Sequence, residues 1–263
     1  MADASRPKTP EEYARLLLEK GGRHVSLHRR HYDSVTATLE RDLRASRFWS
    51  ELTGQLSVFD ASYRAQMHYP LLAGSAGPVL HVKSFDSFFN KVFRRNVVHN
   101  PNWPDPPSDG WIAPHNWYAR IHDILRTIIV VKYLDGVRFL ISEFERTCSG
   151  QGLKTESQLE ARPEGYYAAH FYARNEFEIS KLDWDTERVS VSVEIQVTTQ
   201  LQEVIKNLLH TYYEKRRLAA QDAPADWQWD YRTDECCTND LGHILHYVEG
   251  MIVEIRERQE RQR

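Results

Sequence analysis

The stretch Val189-Ser-Val-Ser-Val-Glu-Ile-Gln-Val-Thr-Thr199 alternates apolar and polar side chains along its whole length. Because successive side chains of a strand point to opposite faces, it predicts a β-strand with one aliphatic face and one face that carries Glu194 and Gln196. The polar face either lines a binding site or meets solvent, and both alternatives fit the pattern. A second buried strand is predicted from Ile124 to Tyr133, which is apolar and rich in β-branched residues.

Helical patterns flank these strands. We predict one helix after Thr9-Pro10, a second from about Ser26 to Leu52, and an amphipathic C-terminal helix with an apolar stripe from Leu241 to Ile255. Helices interleaved with strands predict an α/β (α+β) fold around one mixed β-sheet. We divide the chain into an N-terminal helical extension (1–60), a core (61–220), and a connector with the C-terminal helix (221–263).

The composition is that of a globular protein, and it limits the kinds of partner and of stabilising site that the chain can have. The 263 residues carry a formal net charge of -3, so a nucleic-acid partner requires a local basic patch. The three cysteines match neither a disulfide framework nor a zinc-ligand spacing. Since we find no apolar signal segment and no apolar run long enough for a bilayer, we expect a cytoplasmic protein without membrane attachment.

A segment suited to phosphate binding begins at His81 and continues through Lys83 and Ser87 to Lys91. Lys83 lies at the end of a predicted strand, and Ser87 and Lys91 are one helical turn apart. Two lysines and a helix N-terminus in this arrangement can surround a polyphosphate. An ordinary solvated helix face explains the same spacing.

Two further segments carry side chains that could bind a metal ion, a phosphate group or a base. Asp123 immediately precedes the second predicted strand, and Arg126 lies three residues after Asp123, near the start of that strand. A carboxylate followed by an arginine at this place suits a metal ligand beside a phosphate-binding group. A salt bridge at the strand edge is the simpler alternative. Tyr166 and His170 share one face of a third predicted strand, where the ring can stack on a base; an edge strand with exposed aromatic side chains is equally compatible.

Taken in this order, the segments resemble the synthetase domain of the RelA/SpoT family, particularly its small single-domain members, from Val79 to Lys215. The family's ATP motif, R-x-K-x-x-x-S-x-x-x-K, is similar to the segment of Lys83, Ser87 and Lys91, with His81 in place of the arginine. Its motif D-I-x-G-x-R is similar to the segment that starts at Asp123. There Ile128 replaces the arginine, and Arg126 lies two residues earlier on the same strand face.

Two acceptor-side motifs of the family also find counterparts. G-Y-x-S-x-H is similar to the segment from Gly165 to His170, and E-I-Q-I-R-T is similar to the segment from Glu194 to Thr199. His210 matches a histidine downstream in the small synthetases.

The resemblance implies a nucleotidyltransferase-like core and a magnesium-dependent pyrophosphokinase that transfers the β,γ-pyrophosphate of ATP to a ribose hydroxyl. It implies that Asp123 and Glu194 are catalytic and bind Mg²⁺. The residues expected to bind ATP are His81, Lys83, Ser87, Lys91 and Arg126. Those expected to bind the acceptor nucleotide are Tyr166, His170, Gln196 and His210.

The departures from the family motifs gather on the acceptor side, where Glu164, Ala168 and Thr198 replace the family's residues. They favour a toxin-like relative that acts on a non-standard acceptor, either the 3′ end of tRNA or an adenine nucleotide. For tRNA, the candidate contacts are basic clusters at 28–31, 41–47 and 215–217. A (p)ppGpp synthetase acting on GDP or GTP is the first alternative.

A second alternative is a catalytically inactive nucleotide-binding or antitoxin-like module, against which the retention of Asp123 and Glu194 argues. Candidate protein partners are a neutralising antitoxin and further copies of the chain, joined through the C-terminal helix.

Overall fold

The computed structural model of the chain describes residues 6–21, 25–75, 77–163, 165–180, 185–208, 231–232 and 234–262. Its helices, in chain order, are α1 (Pro10–Gly21), α2 (Val25–Ala45), α3 (Arg47–Met67), α4 (Phe85–Phe93), α5 (Trp117–Arg120), α6 (Leu134–Gly150), α7 (200–208) and α8 (Asp234–Glu260). A π-helical turn, Arg94–Val98, follows α4 directly. No helix in the described ranges has the length and apolar character to cross a bilayer.

The described strands form one five-stranded sheet in the order β1-β2-β5-β4-β3. They are β1 (His81–Val82), β2 (Leu125–Val131), β3 (Thr155–Ala161), β4 (Tyr167–Ser180) and β5 (Thr186–Thr199). β1 pairs antiparallel with β2, and β3 pairs antiparallel with β4. The sheet and its helices confirm the predicted mixed α/β fold class.

The chain divides into two compact units, of which the first comprises Met1–Ser46, Leu80–Arg126 and Arg174–Glu194. Its core is aromatic. The ring of Tyr32 stacks on Phe88 at a centroid distance of 4.5 Å and lies 4.9 Å from Trp117. These contacts join α2 to α4 and α5, so they hold α4 in place beside β1.

The second unit comprises Arg47–Val79, Thr127–Ala173 and Ile195–Arg263. In its core, Phe144 of α6 lies 6.2 Å from Phe59 of α3 and 5.6 Å from Phe171 of β4. The domain boundaries at 60 and 220 stay a prediction.

The helix predicted from Ser26 to Leu52 is two helices in the structure, α2 and α3. The backbone N–H and the hydroxyl of Ser46 both donate to the carbonyl oxygen of Leu43, at 3.0 and 2.6 Å. The serine hydroxyl therefore competes for a carbonyl that would otherwise continue the helical ladder, and α2 ends. The predicted apolar face of this region is correct, because Leu39 and Leu43 are buried.

The apolar stripe of α8 lies on its exposed face. The buried side of the helix carries polar and charged residues instead, namely Asn239, Glu249 and Arg256. Five apolar side chains spaced alternately three and four residues apart are exposed: Leu241, Ile244, Val248, Met251 and Ile255.

Candidate functional site

Two lysines converge on one carboxylate in the first unit. Lys83 Nζ lies 2.9 Å from Oδ2 of Asp123, and Lys91 Nζ lies 2.8 Å from its Oδ1. The three side chains are mostly buried, with exposed fractions of 12% for Lys83, 26% for Lys91 and 16% for Asp123. The sequence-predicted phosphate-binding lysines and the predicted metal ligand thus form one cluster.

The local structure explains how this cluster is assembled. β1 delivers Lys83, whose backbone N–H donates to the carbonyl oxygen of Ile124 at 2.8 Å and whose carbonyl accepts from the Tyr32 hydroxyl at 2.6 Å. α4 starts immediately afterwards, because the hydroxyl of Ser84 caps it by accepting from the N–H of Ser87. Lys91 lies in the last turns of that helix, on the side of Asp123.

The electrostatics of the cluster keep Asp123 ionised. Burial alone would raise the pKa of Asp123, but the charges and hydrogen bonds of Lys91 and Lys83 outweigh it and hold that pKa well below its usual range. Burial lowers the pKa of Lys83, and the charge of Asp123 offsets part of this shift. An ionised carboxylate held by two ammonium groups is competent to bind a cation whenever phosphate oxygens take over the lysines.

Arg126 and His81 lie at the edge of this cluster. They are direct partners in the β1–β2 register, and both are exposed. The charge of Arg126 contributes to lowering the pKa of Lys83, so its guanidinium adds to the same positive field. Ser87 is exposed, and its hydroxyl accepts from that of Ser84 at 3.0 Å. The predicted ATP-binding residues are therefore neighbours along β1, α4 and β2.

Glu194 lies on β5, the strand next to β2 in the sheet. Its side chain is buried, and so is that of Gln196, although both belong to the polar face of the strand. The solvent-facing alternative for this strand is therefore wrong. The polar face of β5 therefore lies inside the protein at these two positions, which is compatible with the binding role predicted for it.

The carboxylates present fit a magnesium ion. Among the described residues, no group of three or more His, Cys, Asp or Glu side chains forms a metal-binding cluster. Mg²⁺ requires fewer protein ligands, since it commonly binds one or two carboxylates together with substrate phosphates and water. The ionised Asp123 is suited to this donor set, and Glu194 is the second carboxylate that the sequence resemblance predicts for it.

In the second unit, three of the four predicted acceptor-binding residues form one hydrogen-bonded group. The amide of Gln196 donates to the hydroxyl of Tyr166, and that hydroxyl lies 3.3 Å from Nε2 of His170. We call Tyr166, His170 and Gln196 the acceptor cluster. His210 and Glu164 lie outside the described residues.

Solved structures share the architecture of this chain. The small alarmone synthetase 1 from Bacillus subtilis, bound to its product pppGpp, has a TM-score of 0.54 at 15% identity, covering 84% of this chain and 98% of that one. The small alarmone synthetase 2 from the same organism has a TM-score of 0.50 at 18% identity, covering 80% and 93%. A GTP pyrophosphokinase family protein from Streptococcus pneumoniae has a TM-score of 0.50 at 16% identity, covering 81% and 89%. The chain has the small alarmone synthetase fold.

This finding confirms the fold that the sequence resemblance implies. No protein-family model matches the sequence. No curated protein matches it either.

Three residues that surround the acceptor cluster were not predicted from the sequence. Glu160 Oε2 lies 2.8 Å from Nε2 of His170, and Arg162 donates to Glu160 Oε1 from Nε at 2.8 Å and from a terminal nitrogen at 2.6 Å. Lys206 of α7 donates to Oε1 of Gln196 at 3.3 Å. Glu160 could not be placed from the sequence because it lies on β3, whose side chains are nearly all exposed. The strand therefore lacks the alternation of apolar and polar residues from which a strand is predicted.

The predicted basic patches for tRNA are largely compensated by carboxylates. Arg29 pairs with Asp86, and three further ion pairs are Arg41–Asp42, Arg44–Glu40 and Arg47–Glu51. Each of these four arginines therefore has a carboxylate partner nearby, which weakens the local positive field. The third predicted cluster, at 215–217, lies outside the described residues.

Proposed function

We propose that the protein is an ATP-dependent pyrophosphokinase of the RelA/SpoT type, which transfers the β,γ-pyrophosphate of ATP to a ribose hydroxyl of a nucleotide-type acceptor. The observation that carries this proposal is the convergence of Lys83 and Lys91 on Asp123. Two ammonium groups beside an ionised carboxylate match the charges of a polyphosphate with its divalent cation.

Proteins with the same fold support the donor and the reaction. They include the small alarmone synthetase 1 from Bacillus subtilis bound to AMPCPP, with a TM-score of 0.51, and the same enzyme bound to pppGpp. AMPCPP is an analogue of ATP, and the S. pneumoniae protein belongs to the GTP pyrophosphokinase family.

In the proposed reaction, Lys83 and Lys91 leave Asp123 and bind the β- and γ-phosphate oxygens, with Arg126 at the rim. Glu194 accepts the proton of the acceptor hydroxyl. The hydroxyl oxygen then forms a bond to the β-phosphorus, the bond between this phosphorus and the α,β-bridging oxygen breaks, and AMP leaves with that oxygen. Positioning and charge stabilisation supply most of the rate enhancement in phosphoryl-type transfer.

Asp123 and Glu194 are the proposed Mg²⁺ ligands. When bound, Mg²⁺ neutralises the phosphate charge that develops in the transition state.

We propose a non-standard acceptor, the 3′ end of tRNA or an adenine nucleotide, as in a toxin-like enzyme. Glu160 supports this choice, because it pairs with Arg162 and so compensates a positive charge that a 5′-di- or triphosphate would need. A GDP or GTP acceptor is the alternative, which the pppGpp-bound neighbour favours.

We further propose that two copies of the chain associate through α8. The exposed residues from Leu241 to Ile255 follow the alternating three- and four-residue spacing of a coiled-coil seam, and identical stripes are self-complementary. Replacing Ile244 and Met251 by Glu should yield a monomer in light scattering, whereas Gln259→Glu, at an exposed polar position of the same helix, should not. An unchanged mass for the first variant excludes this interface.

The activity test uses ATP labelled at the γ-phosphate with Mg²⁺ and separate acceptors: GDP, GTP, AMP, ADP and bulk tRNA. We expect label on tRNA or an adenine nucleotide, and its loss in Asp123→Asn and Glu194→Gln. Label on GDP or GTP identifies an alarmone synthetase and contradicts the proposed acceptor. Absence of transfer to every acceptor, with ATP binding retained, contradicts the proposed activity.

A further inference from the structure

The guanidinium of Arg162 covers one face of the Tyr166 ring. Its central carbon lies 5.3 Å from the ring centroid. The same guanidinium makes two hydrogen bonds to a single oxygen of Glu160, at 2.8 and 2.6 Å, while the second oxygen of Glu160 lies 2.8 Å from His170. A carboxylate therefore holds a planar cation over the ring of the acceptor cluster.

The backbone of the turn between β3 and β4 fixes the relative position of the two residues. The N–H of Arg162 donates to the carbonyl oxygen of Tyr166, and the N–H of Gly165 donates to that of Arg162, both at 3.0 Å. Gly165 has a φ of +74° and packs so closely on α8 that an added Cβ would lie 2.3 Å from the carbonyl oxygen of Asn239. The turn is thus supported from behind, whereas the Arg162 side chain is 54% exposed and has room to move.

We propose that Arg162 is a further acceptor-binding residue, whose guanidinium covers the second face of the base that Tyr166 is expected to stack on, and that Glu160 positions this guanidinium. This inference rests on the proposed function for the identity of the ligand. Stacked bases repeat at about 3.4 Å, so a base held on both sides needs about 6.8 Å and the guanidinium withdraws by about 1.5 Å. Aromatic rings and arginine planes are the two side-chain surfaces on which proteins stack single bases.

The chemistry of this arrangement defines a substrate class. The strength of stacking on both faces depends on the area of the ring system and does not involve the hydrogen-bonding edges of the base. It therefore favours purines over pyrimidines. Glu160 compensates the charge of Arg162, and Lys206 beside Gln196 adds one further cation. So small a positive charge suits a nucleotide with a single phosphate group, either a nucleoside monophosphate or the last nucleotide of a strand.

The test is a binding titration of 2-aminopurine riboside 5′-monophosphate, followed by its fluorescence, with the full-length protein and no ATP. Stacking quenches this base. Wild type should bind it saturably, and Arg162→Ala should raise the Kd about 10-fold. Arg162→Lys keeps the charge and loses the plane, so it should behave like Arg162→Ala. The matched control is Arg138→Lys, on the exposed side of α6, which should bind as wild type does.

Glu160→Gln separates positioning from a structural role. It should raise the KM for the acceptor several-fold, leave kcat within a factor of two, and leave the melting temperature unchanged. Wild-type affinity in Arg162→Lys, or no saturable binding by wild type, overturns the proposal. The titration contains no ATP, so it is independent of the transfer assay. Quenching by wild type together with no pyrophosphate transfer in the activity test contradicts only the proposed function. Pyrophosphate transfer together with wild-type affinity in Arg162→Lys contradicts only the stacking.

Discussion

Lys91 Nζ lies 2.8 Å from Oδ1 of Asp123, although the two residues are 32 positions apart in the chain. The contact ties the end of α4 to the segment that leads into β2, and Lys83 approaches the other carboxylate oxygen from β1. A single carboxylate thus holds both lysines in a mostly buried position. This arrangement keeps two ammonium groups side by side, because the carboxylate between them offsets their mutual repulsion.

Replacing Asp123 by Asn should lower pyrophosphate transfer by a factor of about 100 or more, because it removes the charge of a proposed ligand of the Mg²⁺ ion that neutralises the transferring phosphates. The free energy of unfolding should fall by about 1–3 kcal/mol, since two partly buried lysines lose their counter-charge. Label transfer and urea unfolding measure the two effects. Asp86→Asn is the control, because Asp86 is highly exposed; equal losses in both variants contradict the assigned role.

Glu249 should make the stability of the protein decrease as pH rises. Burial raises the pKa of Glu249 from its ordinary value of 4.5 to about 7, against a smaller lowering by the Thr199 hydroxyl. The folded state therefore binds more protons than the unfolded state between about pH 4.5 and 7, so the free energy of unfolding falls across that window and levels off above it. The contribution is at most about 3 kcal/mol.

The measurement compares urea unfolding of wild type and Glu249→Gln at pH 5 and pH 8. The variant should be more stable than wild type at pH 8, and the difference should shrink at pH 5. An identical dependence on pH in both proteins excludes Glu249 as its source.

Gly242→Ala should destabilise the protein by about 1–3 kcal/mol, because the new Cβ would lie 2.3 Å from the carbonyl oxygen of Gly165. Gly250→Ala, in the same helix, meets no atom within 4 Å and should stabilise by up to about 1 kcal/mol. Thermal unfolding of the two variants gives the comparison. A gain of stability in Gly242→Ala is incompatible with the close approach of α8 to the β3–β4 turn.

Arg256 should be a principal anchor of α8. Its guanidinium lies 4.0 Å from the centroid of the Tyr69 ring and 4.3 Å from that of Tyr133, and it pairs with Asp135 at 3.3 Å. Arg256→Leu should lower the free energy of unfolding by about 2–4 kcal/mol, because Asp135 loses its cation in a poorly solvated place. Arg258→Leu, on the exposed side, should change it by less than about 0.5 kcal/mol. Urea unfolding measures both, and a small effect for Arg256→Leu shows that other contacts hold the helix.

Local periodicity carried most of the fold prediction. The alternation in β5 identified a strand that is central in the sheet, and helical spacing identified α4 and α8. The prediction failed where the signal was not periodic: β3 has almost no buried side chains, and Ser46 interrupts a helix whose apolar pattern continues across it.

The sequence by itself determined the strand with Glu194 and Gln196, and the register of Lys83, Ser87 and Lys91. These features depend on spacings of a few residues, which the backbone geometry of a strand or helix converts directly into shared faces. Only the tertiary structure decided that Glu160 and Arg162 join Tyr166, and that α8 buries Glu249 and Arg256 while it exposes its apolar stripe. Those contacts depend on which strands pair and which helix face meets the sheet, and pairing between distant segments leaves no trace in the local pattern of either one.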